Sequence, residues 1–276
     1  MAQPAVSYFS GVNLQYGEVW ALEQVSFDLR PGETIVVFGA AGSGKTMLIK
    51  TAAGLVKPDS GRVWLFGQDL TRLRERDLYA IRSHVGILFQ EGGLFDSLTI
   101  AENVAYPLLN HPGHPGHRNG AKATAASVEG QVREALRFVE LEHTLEKFPS
   151  ELSGGMRRRV GIARAIVTQP QLVLYDSPTA GLDPITANTI IALLVKQRDS
   201  LNAAAIMVTH RYQDGHIMAN FRYNPDTGRI ERLSRANREE ELRTRFFVMK
   251  DGQIEFEGTE PELRASKDPY VRKFVR

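Results

Sequence analysis

The chain has 276 residues, 42% of them hydrophobic and 24% charged, with a formal net charge of +2. That length can bury a sizeable core as one domain with a smaller lobe, and the near-neutral balance excludes a polyanion binder that works by bulk charge. The lack of cysteine excludes disulfides and thiolate chemistry and fits a reducing compartment. No apolar run approaches the roughly 20 residues needed to span a bilayer. The opening Met-Ala-Gln-Pro lacks the basic and apolar regions of a secretory leader, so a soluble, cytoplasmic chain is expected.

In chain order, strands come first. Val6 to Leu14 and Ala21 to Leu29 alternate apolar and polar residues like half-buried antiparallel strands. Glu33 to Phe38 is an apolar run with strand character. It leads into Gly39, Ala40, Ala41, Gly42, Ser43, Gly44, Lys45 and Thr46, which fit the phosphate-loop pattern G-x-x-x-x-G-K-[ST], and then into the helix-permissive Met47 to Lys50. Strand, glycine loop and helix are the context the pattern requires. The glycines let backbone N–H groups turn toward an anion, and the helix adds the positive end of its dipole. Lys45 is then expected to reach the β- and γ-phosphates of ATP, and Thr46 to bind Mg²⁺ through its hydroxyl. The bland alternative is a glycine-rich turn with an accidental lysine.

Gly61 to Phe66 and Val85 to Phe89 read as further strands, the second running into Gln90. The period then becomes helical. Thr99 to Leu109 and Val128 to Leu141 carry apolar residues at three- and four-residue steps, flanking a polar segment, 110–127, expected to be a mobile loop. Within it, His111, His114 and His117 have a spacing that raises metal binding, but the intervening Pro and Gly leave them unorganised, with no carboxylate or cysteine beside them. Strand character returns at Leu172 to Asp176 and Ala203 to Thr209. The result is an α/β core, 1–90 and 156–276, with a helical lobe at 91–155. Phe221 to Leu233 reads as a hairpin around Asn-Pro-Asp-Thr-Gly, and Ser234 to Arg245 as a charged linker, so that 221–245 is an insertion. Either a partner contact or a surface decoration fits that hairpin. Phe246 to Lys250 and Gln253 to Glu257 form another, around Asp251 and Gly252.

Two further motifs resolve the class. Leu152-Ser-Gly-Gly-Met156 resembles the signature pentapeptide of ATP-binding-cassette ATPases, and Leu172 to Asp176 is an apolar strand ending in a carboxylate, as a Walker B strand does. The resemblance implies a P-loop NTPase cassette with a RecA-like core, an N-terminal antiparallel β region and an inserted helical lobe. It implies that Tyr16 stacks on adenine, that Gln90 is the Q-loop residue sensing Mg²⁺, and that His210 is the switch histidine at the γ-phosphate. An edge-strand tyrosine, a surface glutamine and a structural histidine are the plain alternatives. Asp176 is expected to hold Mg²⁺, with Thr46 and Gln90, because a hard divalent cation prefers oxygen ligands. Ser153, Gly154 and Gly155 open a helix whose N–H groups and dipole can grip a γ-phosphate. In the family they grip the nucleotide of the opposite subunit, so a homodimer closing over two ATP molecules is implied, with Asp183 in the D-loop that lines the interface.

The sequence departs from the family at two positions in the site. Met47 stands where many members have a second Ser or Thr for the α-phosphate. Ser177 stands where the catalytic glutamate is normal, and a neutral hydroxyl can orient water but cannot readily take its proton, so a loss of roughly 10² to 10⁴ in the chemical step is ordinary. Three readings of this serine stay open: hydrolysis sustained by His210 and positioning, a slow or regulatory ATPase, and an engineered trap. Glutamine is the usual engineered choice, which favours a natural serine.

The finer resemblance is to the ATPase subunits of Mla- or Mce-type lipid transporters. It rests on Leu-Ser-Gly-Gly-Met-Arg-Arg-Arg, on Gly-Leu-Phe-Asp-Ser-Leu-Thr before Glu-Asn-Val-Ala-Tyr-Pro, and on Asp-Pro-Tyr-Val-Arg-Lys-Phe near the end. It implies membrane permease partners, an MCE-type lipid-binding component, no nucleic acid, and a place on the cytoplasmic face of the inner membrane. Leu94 and Phe95 would form part of the permease dock, with a core role as the alternative. Competing readings are another transporter, for amino acids or drugs, a soluble cassette in DNA repair or translation, and a nucleotide-gated scaffold.

Overall fold

A computed structural model describes residues 5–90, 92–110, 125–233 and 244–275. The expectations for His111, His114 and His117, for most of the 110–127 segment and for 234–243 lie outside the described residues. An antiparallel sheet is built from β1 (Ser7–Tyr16), β2 (Val19–Leu29), β4 (Ser60–Leu65) and the two-residue β5 (Gln68–Asp69), in the order β2-β1-β4-β5. The larger sheet contains β3 (Thr34–Gly39), β6 (Val85–Leu88), β7 (Leu172–Asp176), β8 (Ala204–Val208), β11 (Thr244–Lys250) and β12 (Gln253–Gly258). Its order is β12-β11-β3-β8-β7-β6, parallel throughout except for the edge strand β12.

Burial explains the composition of the central strands. Every residue of β3, β7 and β8 is buried, so these strands read as nearly continuous apolar runs instead of alternating. Their side chains still point alternately to two faces. Ile35, Val37, Leu174 and Ile206 join one core against the antiparallel sheet and α1 (Lys45–Ala52), whereas Val36, Phe38, Tyr175 and Met207 join a second core beneath the other helices. The second core is continuous with α3 (Ile100–Asn110), α4 (Ala125–Phe138), α5 (Gly154–Ile166) and α6 (Pro184–Leu201). Helix α5 runs unbroken across residues 155 and 156. It packs on α3 and α4 and also on β6, where a Cβ on Gly86 would sit 2.1 Å from the Ala165 carbonyl oxygen.

One local device places the loop after β6. Asn103, fully buried in α3, accepts from the Phe95 N–H at 2.8 Å and donates to the carbonyls of Phe95, Leu98 and Thr99. This satisfies backbone groups that a buried loop otherwise leaves unpaired. Thr99 and Glu102 cap the same helix reciprocally.

The expected insertion is partly corrected. The hairpin exists, as β9 (Phe221–Asn224) paired with β10 (Arg229–Arg232), and α6 anchors it. Buried Arg198 donates to the Phe221 carbonyl and to Met218, while Asp199 accepts from the Tyr223 N–H at 2.8 Å. The linker does not extend to Arg245, however. Thr244 and Arg245 already belong to β11, in register with Thr34 and Ile35, and Arg245 bridges Glu33 and Glu257. Arg245, a charge directly before the apolar run, hid the start of a strand that its ion pairs hold in place.

Candidate nucleotide site

The parallel sheet determines where the chemistry sits. Gly39 ends β3, Asp176 ends β7, His210 lies just beyond β8 and Gln90 just beyond β6, so all four gather at the carboxyl ends of adjacent strands. Ligands bind at that edge in open α/β sheets because loops and helix N-termini converge there. The loop between β3 and α1 is too tight for side chains at two points. A Cβ at Gly39 would fall 2.4 Å from the Ser43 Oγ, and one at Gly44, where φ is +98°, would fall 2.1 Å from the Ala21 carbonyl oxygen.

Lys45 is folded back into this loop. Its Nζ donates to the Gly39 carbonyl at 2.9 Å, the Ala40 carbonyl at 2.6 Å and the Ser43 Oγ at 3.2 Å. Burial lowers its pKa, opposed by the negative charge of Asp176. His210 is also lowered, first by burial and then by the charge of Lys45, again with Asp176 opposing. Lys45, Asp176 and His210 therefore share one electrostatic field, which neither motif alone could establish. Thr46 is exposed in the first turn of α1, whereas Met47 packs its side chain against the core and offers the loop no donor. Tyr16, the last residue of β1 and 54% exposed, keeps its ring free for stacking. The oxygens of Thr46 and Asp176 fit a hard cation that takes most of its other ligands from phosphate and water, as Mg²⁺ does.

Ser177 is buried with φ at +51°. Its hydroxyl donates to Asp176 Oδ1 at 3.2 Å and its N–H to the Val208 carbonyl at 3.0 Å. Arg158 of α5 donates to the carbonyls of Ser177 at 3.4 Å and Ala180 at 3.1 Å. The other side of this turn is held by Asp214, fully buried in α7 (Tyr212–Asn220). Its Oδ2 accepts from the Thr179 hydroxyl at 2.5 Å and the Thr209 hydroxyl at 2.7 Å. Burial raises the Asp214 pKa, with the two hydroxyls and Arg211 pulling it down. Sequence reasoning missed Arg158, Thr179, Thr209 and Asp214. The available signal was position, since the threonines adjoin the turn after Asp176 and His210.

A second group assembles apart from the first. Ser153 caps α5, its Oγ accepting from the Met156 N–H at 3.3 Å, with Gly154 and Gly155 in the first turn. Asp183 caps α6 by accepting from the N–H groups of Ile185 and Thr186 at 3.0 Å, and the Thr186 side-chain hydroxyl first, then these backbone bonds, hold its carboxyl below the usual range. Ser153, Gly154, Gly155 and Asp183 line one open cavity of about 400 Å³. Gln90 lines a neighbouring cavity of about 510 Å³ with Gly154, Arg157 and Gly181. No described cavity or hydrogen bond contains members of both the Lys45, Asp176 and His210 set and the Ser153, Gly154 and Gly155 set.

Comparison with known proteins identifies the family. The family profile described as ABC transporter matches residues 22–180. The chain belongs to the ABC transporter family. Superposed on the dimeric post-hydrolysis structure of the ATP-binding cassette MJ0796 bound to ADP and Pi, the cassette gives a TM-score of 0.74 at 28% identity, covering 92% of this chain and 98% of that one. Its α/β P-loop NTPase fold is therefore that of ABC cassettes. Among curated proteins it is 36% identical to the probable ribonucleotide transport ATP-binding protein mkl of Mycobacterium leprae, over 72% of this chain and 55% of that one. Others, at 38% identity, are named methionine import ATP-binding protein. It is 30% identical to the intermembrane phospholipid transport system ATP-binding protein MlaF of Haemophilus influenzae, over 92% of this chain and 84% of MlaF. The cassette spans about half the length of the first two of these relatives and most of MlaF.

Proposed function

We propose that this cassette is the ATP-hydrolysing subunit of a membrane lipid transporter, acting as a homodimer that closes over two Mg-ATP molecules. The observation that carries it is the match to a dimeric, ADP- and Pi-bound cassette over 92% of the chain, together with a cavity at the N-terminus of α5 that Ser153, Gly154, Gly155 and Asp183 line without Lys45, Asp176 or His210. In this reading the phosphate loop of one copy and that cavity of a second copy complete one site. In this reading Tyr16 stacks on the base, the loop 39–46 wraps the phosphates, Thr46, Asp176 and Gln90 hold Mg²⁺, and Ser153 to Gly155 face the partner's γ-phosphate. Bound Mg²⁺ would supply neutralisation of phosphate charge. Lys45 must leave the loop carbonyls to meet the phosphates. His210 orients the terminal phosphate and water, and Ser177 can orient but not deprotonate, so turnover is slow.

The permease partner is supported by a groove of about 440 Å³ between β6, α3 and the loop after β6. Leu55, Phe89, Phe95, Tyr106 and Pro107 line it, and the rings of Phe95 and Tyr106 lie 4.7 Å apart. Leu94, by contrast, packs against the core. Among the described residues no helix is long and apolar enough to cross a membrane. Lipid as the cargo, an MCE-type component and a seat at the cytoplasmic face of the inner membrane are supported by the match to MlaF along 92% of the chain. We also propose the division into a core, 1–90 and 156–276, and a signature lobe, 91–155, a boundary that α5 crosses unbroken.

A second reading, a nucleotide-gated scaffold with scarcely any turnover, is favoured by the commitment of the Ser177 hydroxyl to Asp176. Sedimentation of the full chain with and without Mg-ATP tests the dimer. The expected result is a nucleotide-dependent dimer abolished by Ser153→Arg, and a monomer throughout would end the proposal. Co-purification from membranes with a multi-span permease, followed by ATP-dependent movement of labelled phospholipid between vesicles, tests the cargo.

A further inference from the structure

Outside every motif used above, the segment 268–275 closes on the phosphate loop. Asp268 Oδ1 accepts from the N–H groups of Tyr270 at 2.6 Å and Val271 at 3.0 Å, starting a short 3₁₀ turn, Val271–Phe274. Val271 is buried, and the Phe274 ring stacks 6.4 Å from that of Phe38, in the strand that leads into the loop. This anchoring delivers the Tyr270 phenol to the loop itself. Its hydroxyl accepts from the Ala40 N–H at 3.2 Å and donates to the Met249 carbonyl at 2.9 Å, so both roles of the oxygen are used. The ammonium groups of Lys250 and Lys273 lie 5.5 and 5.6 Å from the centre of the ring.

We infer that Tyr270 is a positioning residue of the nucleotide site, holding the rim of the phosphate loop from the far end of the chain; this rests on the ATP-binding reading above. Ala40 is gripped twice, its carbonyl by the Lys45 Nζ and its N–H by Tyr270. When Lys45 turns to the phosphates, its grip on Gly39 and Ala40 is released. Tyr270 then becomes the hold that keeps Ala40 on the end of β11, where Met249 lies in register with Gly39. The loop therefore stays ordered in the state that contacts ligand, and the entropy cost of binding is reduced.

The test uses the full-length chain and fluorescent mant-ATP with Mg²⁺. Tyr270→Phe removes the hydroxyl and both its hydrogen bonds, of which the one from Ala40 holds the loop, and is expected to weaken nucleotide binding about threefold to tenfold. Hydrogen exchange at the Ala40 and Ala41 amides should rise with it, while the urea midpoint stays close to wild type. Phe274→Leu, which loosens the anchor but keeps the hydroxyl, should move the same two readouts by less. Wild-type affinity and exchange in Tyr270→Phe would overturn the inference, as would weaker binding with unchanged Ala40 exchange. A wild-type chain that binds no mant-ATP overturns the nucleotide reading and this one with it, whereas wild-type binding with an indifferent Tyr270→Phe removes this one alone.

Discussion

Removing the Asp214 carboxylate tests the network that ties the Walker B turn to the His210 segment. In Asp214→Ala, the Thr179 and Thr209 hydroxyls, both buried, lose their acceptor together. An orphaned buried hydroxyl costs about 1–3 kcal/mol, and two cost roughly 2–6 kcal/mol. Arg211, whose side chain is 31% exposed and lies 3.4 Å from the carboxylate, can turn to water, so little is added for the broken ion pair. Asp214→Asn keeps an acceptor oxygen and should lose about half as much. Urea unfolding followed by fluorescence should place the Asp214→Ala midpoint roughly 1 M below wild type. The sign with pH is also set. The native pKa of Asp214 is raised above its ordinary 3.8, so its contribution is fully present below 3.8 and is lost as pH rises through the native value. Wild type should therefore gain on Asp214→Asn as pH falls toward 3.8. An Asp214→Ala loss below about 1 kcal/mol would refute the reasoning, since it would mean the hydroxyls find other acceptors.

Tyr175, fully buried, donates to the Gln197 Oε1 at 2.7 Å, while the Gln197 Nε2 has no partner among the described residues. Tyr175→Phe should cost about 1 kcal/mol by chemical denaturation, and Tyr175→Phe with Gln197→Met should recover most of it, because both polar ends are then gone. His210 is held below its ordinary 6.5, first by burial, so the nucleotide-free chain should lose stability as pH falls from 6.5, where the unfolded chain takes up the proton first. His210→Gln should flatten that part of the profile. A γ-phosphate beside His210 would raise the same pKa, so calorimetry in two buffers should show proton uptake on Mg-ATP binding near pH 6.5, lost in His210→Gln.

The parts of the site legible in the sequence were those whose chemistry is local in the chain. The phosphate loop needs glycines and a lysine within eight consecutive positions, and the strands β3, β7 and β8 are apolar because they are buried on both faces. Ser153 and Asp183 came into view through the signature and D-loop resemblance, and the structure adds their caps on α5 and α6, contacts over two or three residues. What escaped was non-local. Asp214 meets Thr179 across 35 positions, and Tyr270 meets Ala40 across 230, so no spacing rule could pair them. The start of β11 was misplaced for a related reason. Arg245 looks like linker until Glu33 and Glu257 are seen beside it.

On the proposed reading the half of the site that binds ATP is intact and Ser177 limits the half that hydrolyses it. Steady-state phosphate release from the wild-type chain and Ser177→Glu, at saturating Mg-ATP, tests this most directly. A carboxylate at the end of β7 restores a base, and release should rise by roughly 10²-fold or more with mant-ATP affinity little changed. Equal release from the two proteins, with both fully loaded, would contradict it.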